Sequence, residues 1–139
     1  MSKRLVREYM TPTVFTVRFD KKAIAVQEIM TWGRLRHVPV VDAQDRLVGI
    51  ISHRDLLHAA IASVADVPVA ERRLHLAQIP IVKVMQSTVT VVGPDASVQD
   101  AARMLRQAKF GCLPVVENDK LIGIITEHDL LGIVENLSD

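Results

Sequence analysis

Gly49-Ile50-Ile51-Ser52-His53-Arg54-Asp55-Leu56-Leu57 returns as Gly123-Ile124-Ile125-Thr126-Glu127-His128-Asp129-Leu130-Leu131. An apolar-Pro-Val-Val stretch precedes each: His37-Val38-Pro39-Val40-Val41-Asp42 in the first case, Cys112-Leu113-Pro114-Val115-Val116-Glu117 in the second. The offset is about 75 residues, one fewer after the turn between the stretches, and a fixed period of that kind marks two supersecondary units of one kind. The repeat divides the chain into a first copy, 1–61, a linker, 62–78, and a second copy, 79–139.

Each copy reads as β-α-β-β-α, which makes the fold class α+β. Leu5 to Met10 and Pro80 to Met85 are short helical lead-ins. Val14 to Val17 and Val89 to Val92 read as β-branched strands. Asp20 and Asp95 open helices, with Asp95 and Ser97 as N-cap candidates. Ala23, Val26, Ile29 and Met30 mark the apolar face of the first helix; Val98, Ala101, Ala102, Met104 and Leu105 mark that of the second. His37 to Val41 and Leu47 to Ser52 form an antiparallel hairpin around a polar turn, as do Cys112 to Val116 and Leu121 to Thr126. His53 and Glu127 begin the closing helices. The linker, with Pro68 and the pair Arg72-Arg73, is expected on the surface and mildly helical toward Leu76.

A lone half would bury a marginal core, so two halves sharing one core is the expectation. Apolar residues make up 49% of the chain and aromatics 4%, so the core is aliphatic. No apolar run approaches the roughly 18 residues of a membrane span, and the segment Met1 to Glu8 lacks a signal-peptide apolar stretch. With one cysteine and no internal disulfide, a soluble cytoplasmic protein is expected. The net charge of +1 gives no case for nucleic acid. Charge is uneven, however: residues 1–60 hold ten Lys/Arg against six Asp/Glu, and residues 61–139 hold seven against ten. Arg34, Arg36, Arg46 and Arg54 surround the first motif, either as a solvated face or as a local attraction for phosphate.

A hydroxyl at a strand end with a carboxylate three residues later occurs at Ser52/Asp55 and at Thr126/Asp129. Such a carboxylate offers acceptors to vicinal hydroxyls, as on a ribose, and the helix start suits a phosphate. Arg54 adds a cation able to make two bonds to phosphate. The same pattern is also an ordinary helix cap, and both readings stand. Gly49 and Gly123 inside strands mark a bulge or a close approach. Pro39 and Pro114 each give up a ladder donor. No metal-ligand spacing, nucleophile elbow or phosphate loop is present. Cys112 reads as an inert core thiol, and Trp32 suggests packing or partner contact. No catalytic role is expected.

Met10-Thr11-Pro12, Val38-Pro39-Val40-Val41-Asp42, Gly49-Ile50-Ile51-Ser52-x-x-Asp55-Leu56 and their second-copy equivalents resemble the CBS domain, paired as a Bateman module. The likeness extends to small stand-alone bacterial CBS pairs, including acetoin-utilisation types. This resemblance implies two units packed with pseudo-twofold symmetry through their sheets. It further implies clefts between the copies for adenosine-containing ligands: AMP, ADP, ATP or S-adenosylmethionine, with NADH or cyclic dinucleotides in some members. Carried over, one cleft takes Asp129 and Thr126 with Arg36, His37, Val38, Thr13, Val14 and Phe15. The other takes Asp55, Ser52 and Arg54 with Gly111, Cys112, Leu113, Thr88, Val89 and Thr90. His128 replaces the arginine found at Arg54, so the two clefts should handle phosphate differently. The implied role is a regulatory module, homodimeric, that signals to an unidentified protein partner; the alternative is an interaction scaffold with vestigial clefts.

Overall fold

The computed structural model describes residues 3–12, 15–64, 71, 75–108 and 111–137. In chain order the elements are α1 (Val6–Tyr9), β1 (Val17–Arg18), α2 (Ala23–Gly33), β2 (His37–Val41), β3 (Leu47–Ser52), α3 (His53–Val64), a 3-10 turn (Ile81–Lys83), α4 (Val98–Gln107), β4 (Cys112–Glu117), β5 (Lys120–Thr126) and α5 (Glu127–Glu135). Helices and strands are mixed, with β2–β3 and β4–β5 as consecutive antiparallel hairpins, as the α+β reading expects.

The chain forms two compact units, Phe15–Val89 and Met1–Val14 with Thr90–Asp139. Their boundaries do not coincide with the repeat halves: each lead-in belongs to the unit built from the other copy's strands. Around α1, Val6 N–H donates to the Ala96 carbonyl and Arg7 N–H to that of Pro94, both at 2.9 Å. Around the 3-10 turn, Ile81 N–H donates to Lys21 at 3.0 Å and Ala23 N–H to Ile79 at 2.8 Å. Each lead-in therefore satisfies backbone groups at the start of a helix, where intrahelical partners run out.

In the unit Phe15–Val89 the strand order is β1-β2-β3. β1 runs parallel to β2, pairing Val17 with Val40, and β2 runs antiparallel to β3, pairing His37 with Ser52. In the other unit β4 and β5 pair with Cys112 opposite Thr126. The expected strand at Val89–Val92 reduces to a single parallel bridge, Val92 to Val115. The expected Val14–Val17 strand is confined to Val17–Arg18, with Thr13 and Val14 outside the described residues. Both hairpins shift register at the same place, between Val40 and Val41 and between Val115 and Val116. Gly49 and Gly123 lie opposite these shifts.

Among the described residues, each unit has its own cluster of buried apolar side chains. One gathers Val17, Val26, Met30, Val38, Val40, Ile51, Leu56, Leu76 and Ile81. The other gathers Val6, Val92, Ala101, Leu105, Leu113, Val115 and Ile125. Val6 is fully buried, so α1 is part of its unit's core despite having only four residues. Leu76 is 3% exposed, which corrects the expectation that the linker lies on the surface throughout. The linker's start also belongs to α3, which continues to Val64. Pro68, Arg72 and Arg73 lie outside the described residues.

Helix starts differ from the sequence reading as well. α2 begins at Ala23, three residues past Asp20, with Lys22 at its cap and no side-chain cap bond. α4 is capped by Ser97, whose hydroxyl accepts Asp100 N–H at 3.1 Å. Asp95 instead accepts from Arg7 at 2.8 Å. Arg7 is also within 3.4 Å of Glu117, so one guanidinium ties α1 to two other segments of its unit.

Candidate functional site

The two aspartates of the repeat stand in matching environments. Ser52 N–H donates to Asp55 Oδ2 at 3.0 Å, and Asp55 N–H donates to Ser52 Oγ at 3.0 Å. Thr126 N–H donates to Asp129 Oδ2 at 2.9 Å, and Asp129 N–H donates to Thr126 Oγ1 at 3.1 Å. These are reciprocal caps, which hold each carboxylate at the head of α3 or α5. The cap reading of hydroxyl-x-x-Asp is therefore correct as far as it goes, and each carboxylate keeps acceptor capacity beyond its cap.

A third partner comes from the residues that follow the lead-ins, to which the sequence reading gave no site role. Thr11 Oγ1 donates to Asp129 Oδ1 at 3.1 Å. Gln86 Nε2 donates to Asp55 Oδ1 at 3.3 Å. Thr11 follows Met10 and Gln86 follows Met85, so the two donors are equivalent positions of the repeat. The signal available in the sequence was a polar residue after each lead-in methionine. Reciprocal backbone bonds fix them: Thr11 with Ile124 at 2.7 and 2.8 Å, Gln86 with Ile50 at 2.8 and 3.0 Å.

This approach explains the strand glycines. A Cβ on Gly123 would lie 2.7 Å from Met10 Sδ and 3.0 Å from the Thr11 carbonyl oxygen. A Cβ on Gly49 would meet Met85 Sδ and the Gln86 carbonyl at the same distances. Both readings of these glycines hold: each lies beside a register shift, and each is closely approached by a lead-in.

The strand-entry residues are tied to the helix heads. His53 N–H donates to the Arg36 carbonyl at 2.7 Å, and Glu127 N–H donates to the Gly111 carbonyl at 3.2 Å. Gly111 has φ +65°, where a side chain would be strained and would also press on Glu127. The unit Phe15–Val89 thus gathers Arg36, His37, Ser52, Arg54 and Asp55; the other gathers Gly111, Cys112, Thr126, His128 and Asp129. Val38 and Leu113 are fully buried in the cores, so any ligand would meet their backbone and not their side chains. Phe15, Thr88 and Thr90 are exposed, and Val89 is half-buried.

Electrostatics separate the candidates. Burial lowers the His37 imidazole below its ordinary value, Asp55 pulls it back up, and Arg36 pushes it down. Burial pushes the Cys112 thiol up to about 12, consistent with an inert core thiol. Of the basic cluster noted in the sequence, Arg46 is committed to the β2–β3 turn, where it donates to Asp42 at 2.8 Å. Arg34, Arg36 and Arg54 make no ion pair among the described residues. No group of His, Cys, Asp and Glu that could hold a metal occurs among the described residues, and no described helix is long and apolar enough to cross a membrane.

Two cavities adjoin these groups. One of about 330 Å³ is lined by Arg4, Tyr9, His128, Asp129, Gly132, Ile133 and Asn136. The other, about 520 Å³, lies between α2 and α3, where Met30, Arg34, Arg36, His53, Leu56 and Leu76 contribute to its wall.

The family model of the CBS domain matches residues 6–62 and 77–136. A CBS domain-containing protein of Dictyostelium discoideum is 28% identical over 133 residues, covering 95% of this chain and 92% of that one. The crystal structure of a candidate acetoin utilization protein (AcuB) of Vibrio cholerae matches with a TM-score of 0.83 at 34% identity, over 98% of this chain and 95% of that one. CBSX2, solved in complex with AMP and known from Arabidopsis thaliana, matches with a TM-score of 0.78 at 28% identity, over 95% and 96% of the two chains.

Proposed function

Because the chain belongs to the CBS domain family, we propose that it is a non-catalytic regulatory module of the cytoplasm that binds an adenosine-containing ligand. The observation that carries this reading is the pair of carboxylates, Asp55 and Asp129. Each is held at a helix head by a hydroxyl residue and is bonded again by a lead-in. Ribose hydroxyls would bond to Asp55 or Asp129, and phosphate oxygens to Ser52 and Arg54 or to Thr126 and His128. The base would lie along the strand entries, against Arg36, His37 and Val38 or Gly111, Cys112 and Leu113, with Phe15, Thr88, Val89 and Thr90 as flanking residues. The relative solved with AMP supports an adenine nucleotide as first candidate.

A ligand shifts the protein between two shapes only by binding them with different affinity. The lead-ins are the natural reporters, since Thr11 and Gln86 share their acceptor with the ligand. The signal would pass to a partner protein or to a second copy of the chain. Trp32, 88% exposed at the end of α2, supports a homodimeric surface.

Calorimetry with AMP, ADP, ATP, S-adenosylmethionine and NADH tests the reading. At least one should bind at or below millimolar concentration, and Asp55→Asn or Asp129→Asn should weaken it about ten-fold, the loss of one charge-assisted bond. A second reading, an interaction scaffold, draws on the carboxylates' service as caps. It predicts a melting temperature unchanged across the same panel, since a ligand specific for the native state must raise it.

A further inference from the structure

The repeat places Arg54 and His128 at equivalent positions, so the second copy lacks the fixed cation its twin carries beside the carboxylate. The fold brings one from the opposite end of the chain. Arg4 lines the 330 Å³ cavity together with Tyr9, His128, Asp129 and Asn136. Its backbone is anchored, because its carbonyl accepts Val98 N–H at 2.9 Å at the start of α4. Its side chain is exposed and makes no ion pair among the described residues. Arg7, three residues on, is held by both Asp95 and Glu117.

Asp129, the sole carboxylate in this cavity wall, already accepts from Thr126 N–H and the Thr11 hydroxyl and does not neutralise Arg4. Asn136 donates its side-chain amide to the Gly132 carbonyl at 2.9 Å. The cavity wall therefore carries Arg4, which makes no ion pair among the described residues, together with His128, Tyr9 and a carboxylate suited to sugar hydroxyls.

We propose that Arg4 is the phosphate-binding residue of the second copy's site, so that this site selects a phosphorylated nucleoside over a neutral or sulfonium-bearing one. The proposal rests on the ligand-binding reading above and sharpens it. A guanidinium binds phosphate through two parallel bonds, whereas a sulfonium brings a second positive charge toward Arg4. Arg4 also lies on the segment whose Thr11 hydroxyl contacts Asp129. Phosphate and sugar would thus engage both ends of the same lead-in.

The test is calorimetry on the chain carrying Asp55→Ala, which weakens the first copy's site by about ten-fold so that the second dominates the titration. AMP, adenosine and S-adenosylmethionine are titrated with Arg4 present, replaced by Ala, and replaced by Lys. With Arg4, AMP should bind at least ten-fold tighter than adenosine. Arg4→Ala should abolish most of that margin while leaving adenosine affinity and melting temperature unchanged; Arg4→Lys should retain part of it. S-adenosylmethionine should gain relative to AMP in Arg4→Ala. If AMP and adenosine bind but their ratio ignores Arg4, this assignment is overturned while the ligand-binding reading stands. If none of the three binds the wild-type chain at millimolar concentration, both fall.

Discussion

His37 shows how one residue senses both core and site. It opens β2 opposite Ser52, and the fold favours its neutral form, through burial first and Arg36 second, against the pull of Asp55. In the unfolded chain the imidazole returns to about 6.5. The unfolded state then binds more protons than the folded one between those two values. This contribution to stability is complete above about pH 6.5 and is lost as the pH falls from there toward the lowered folded value. Urea midpoints should fall between pH 7.5 and pH 5.5, and His37→Gln should flatten that fall. Gly123 makes a steric argument at the same scale. Gly123→Ala forces Met10 and the Thr11 carbonyl to move and should cost about 1–3 kcal/mol, as overpacking does. Gly93→Ala is the control, with nothing within 4 Å of the added methyl. Equal melting temperatures for the two variants would refute the close-approach explanation.

Among the elements, hairpins and closing helices were legible because their signals are local. The polar turn at Asp42–Arg46 bonds to itself: Asp42 Oδ1 accepts from Gln44 and Arg46 N–H, both at 2.9 Å. Helix starts at His53 and Glu127 fell where the Ser52 and Thr126 caps put them. Asp20 and Asp95 misled, because an aspartate before a helix fits a cap by composition alone. At α4 two candidates were in range, and the one whose hydroxyl reaches a free N–H is Ser97, while Asp95 is drawn off by Arg7. Ser97→Ala should therefore destabilise the chain by about 1 kcal/mol. Asp95→Ala removes only an exposed ion pair and should cost well under that; chemical denaturation of the two variants separates them. The first strands of the copies were overestimated for a related reason. β-branched residues fit a pleated surface, but a strand also needs a neighbour along its length, and Val92 finds one only at Val115.

In the whole molecule, the lead-ins give the fold its connectivity. Val6 fills its unit's core from outside the strands and helices it serves. Val6→Ala leaves a cavity there and should cost about 1–3 kcal/mol. Its effect should be local: amide hydrogen exchange should accelerate in β4 and β5 and change little in β2 and β3. Uniform acceleration in all four strands would contradict the division into two compact units. The repeat itself, the paired hairpins, the aliphatic core residues and the carboxylates at 55 and 129 could all be read from the chain, because each depends on periodicity or on neighbours a few residues apart. Residue order could not say which copy receives a lead-in, that Thr11 and Gln86 would donate to those carboxylates, that Leu76 would be buried, or that Arg4 would stand beside His128. Those pairings join residues far apart in sequence. They follow from how helix-start amides and glycine gaps are filled once the chain is compact, and no local pattern encodes that choice.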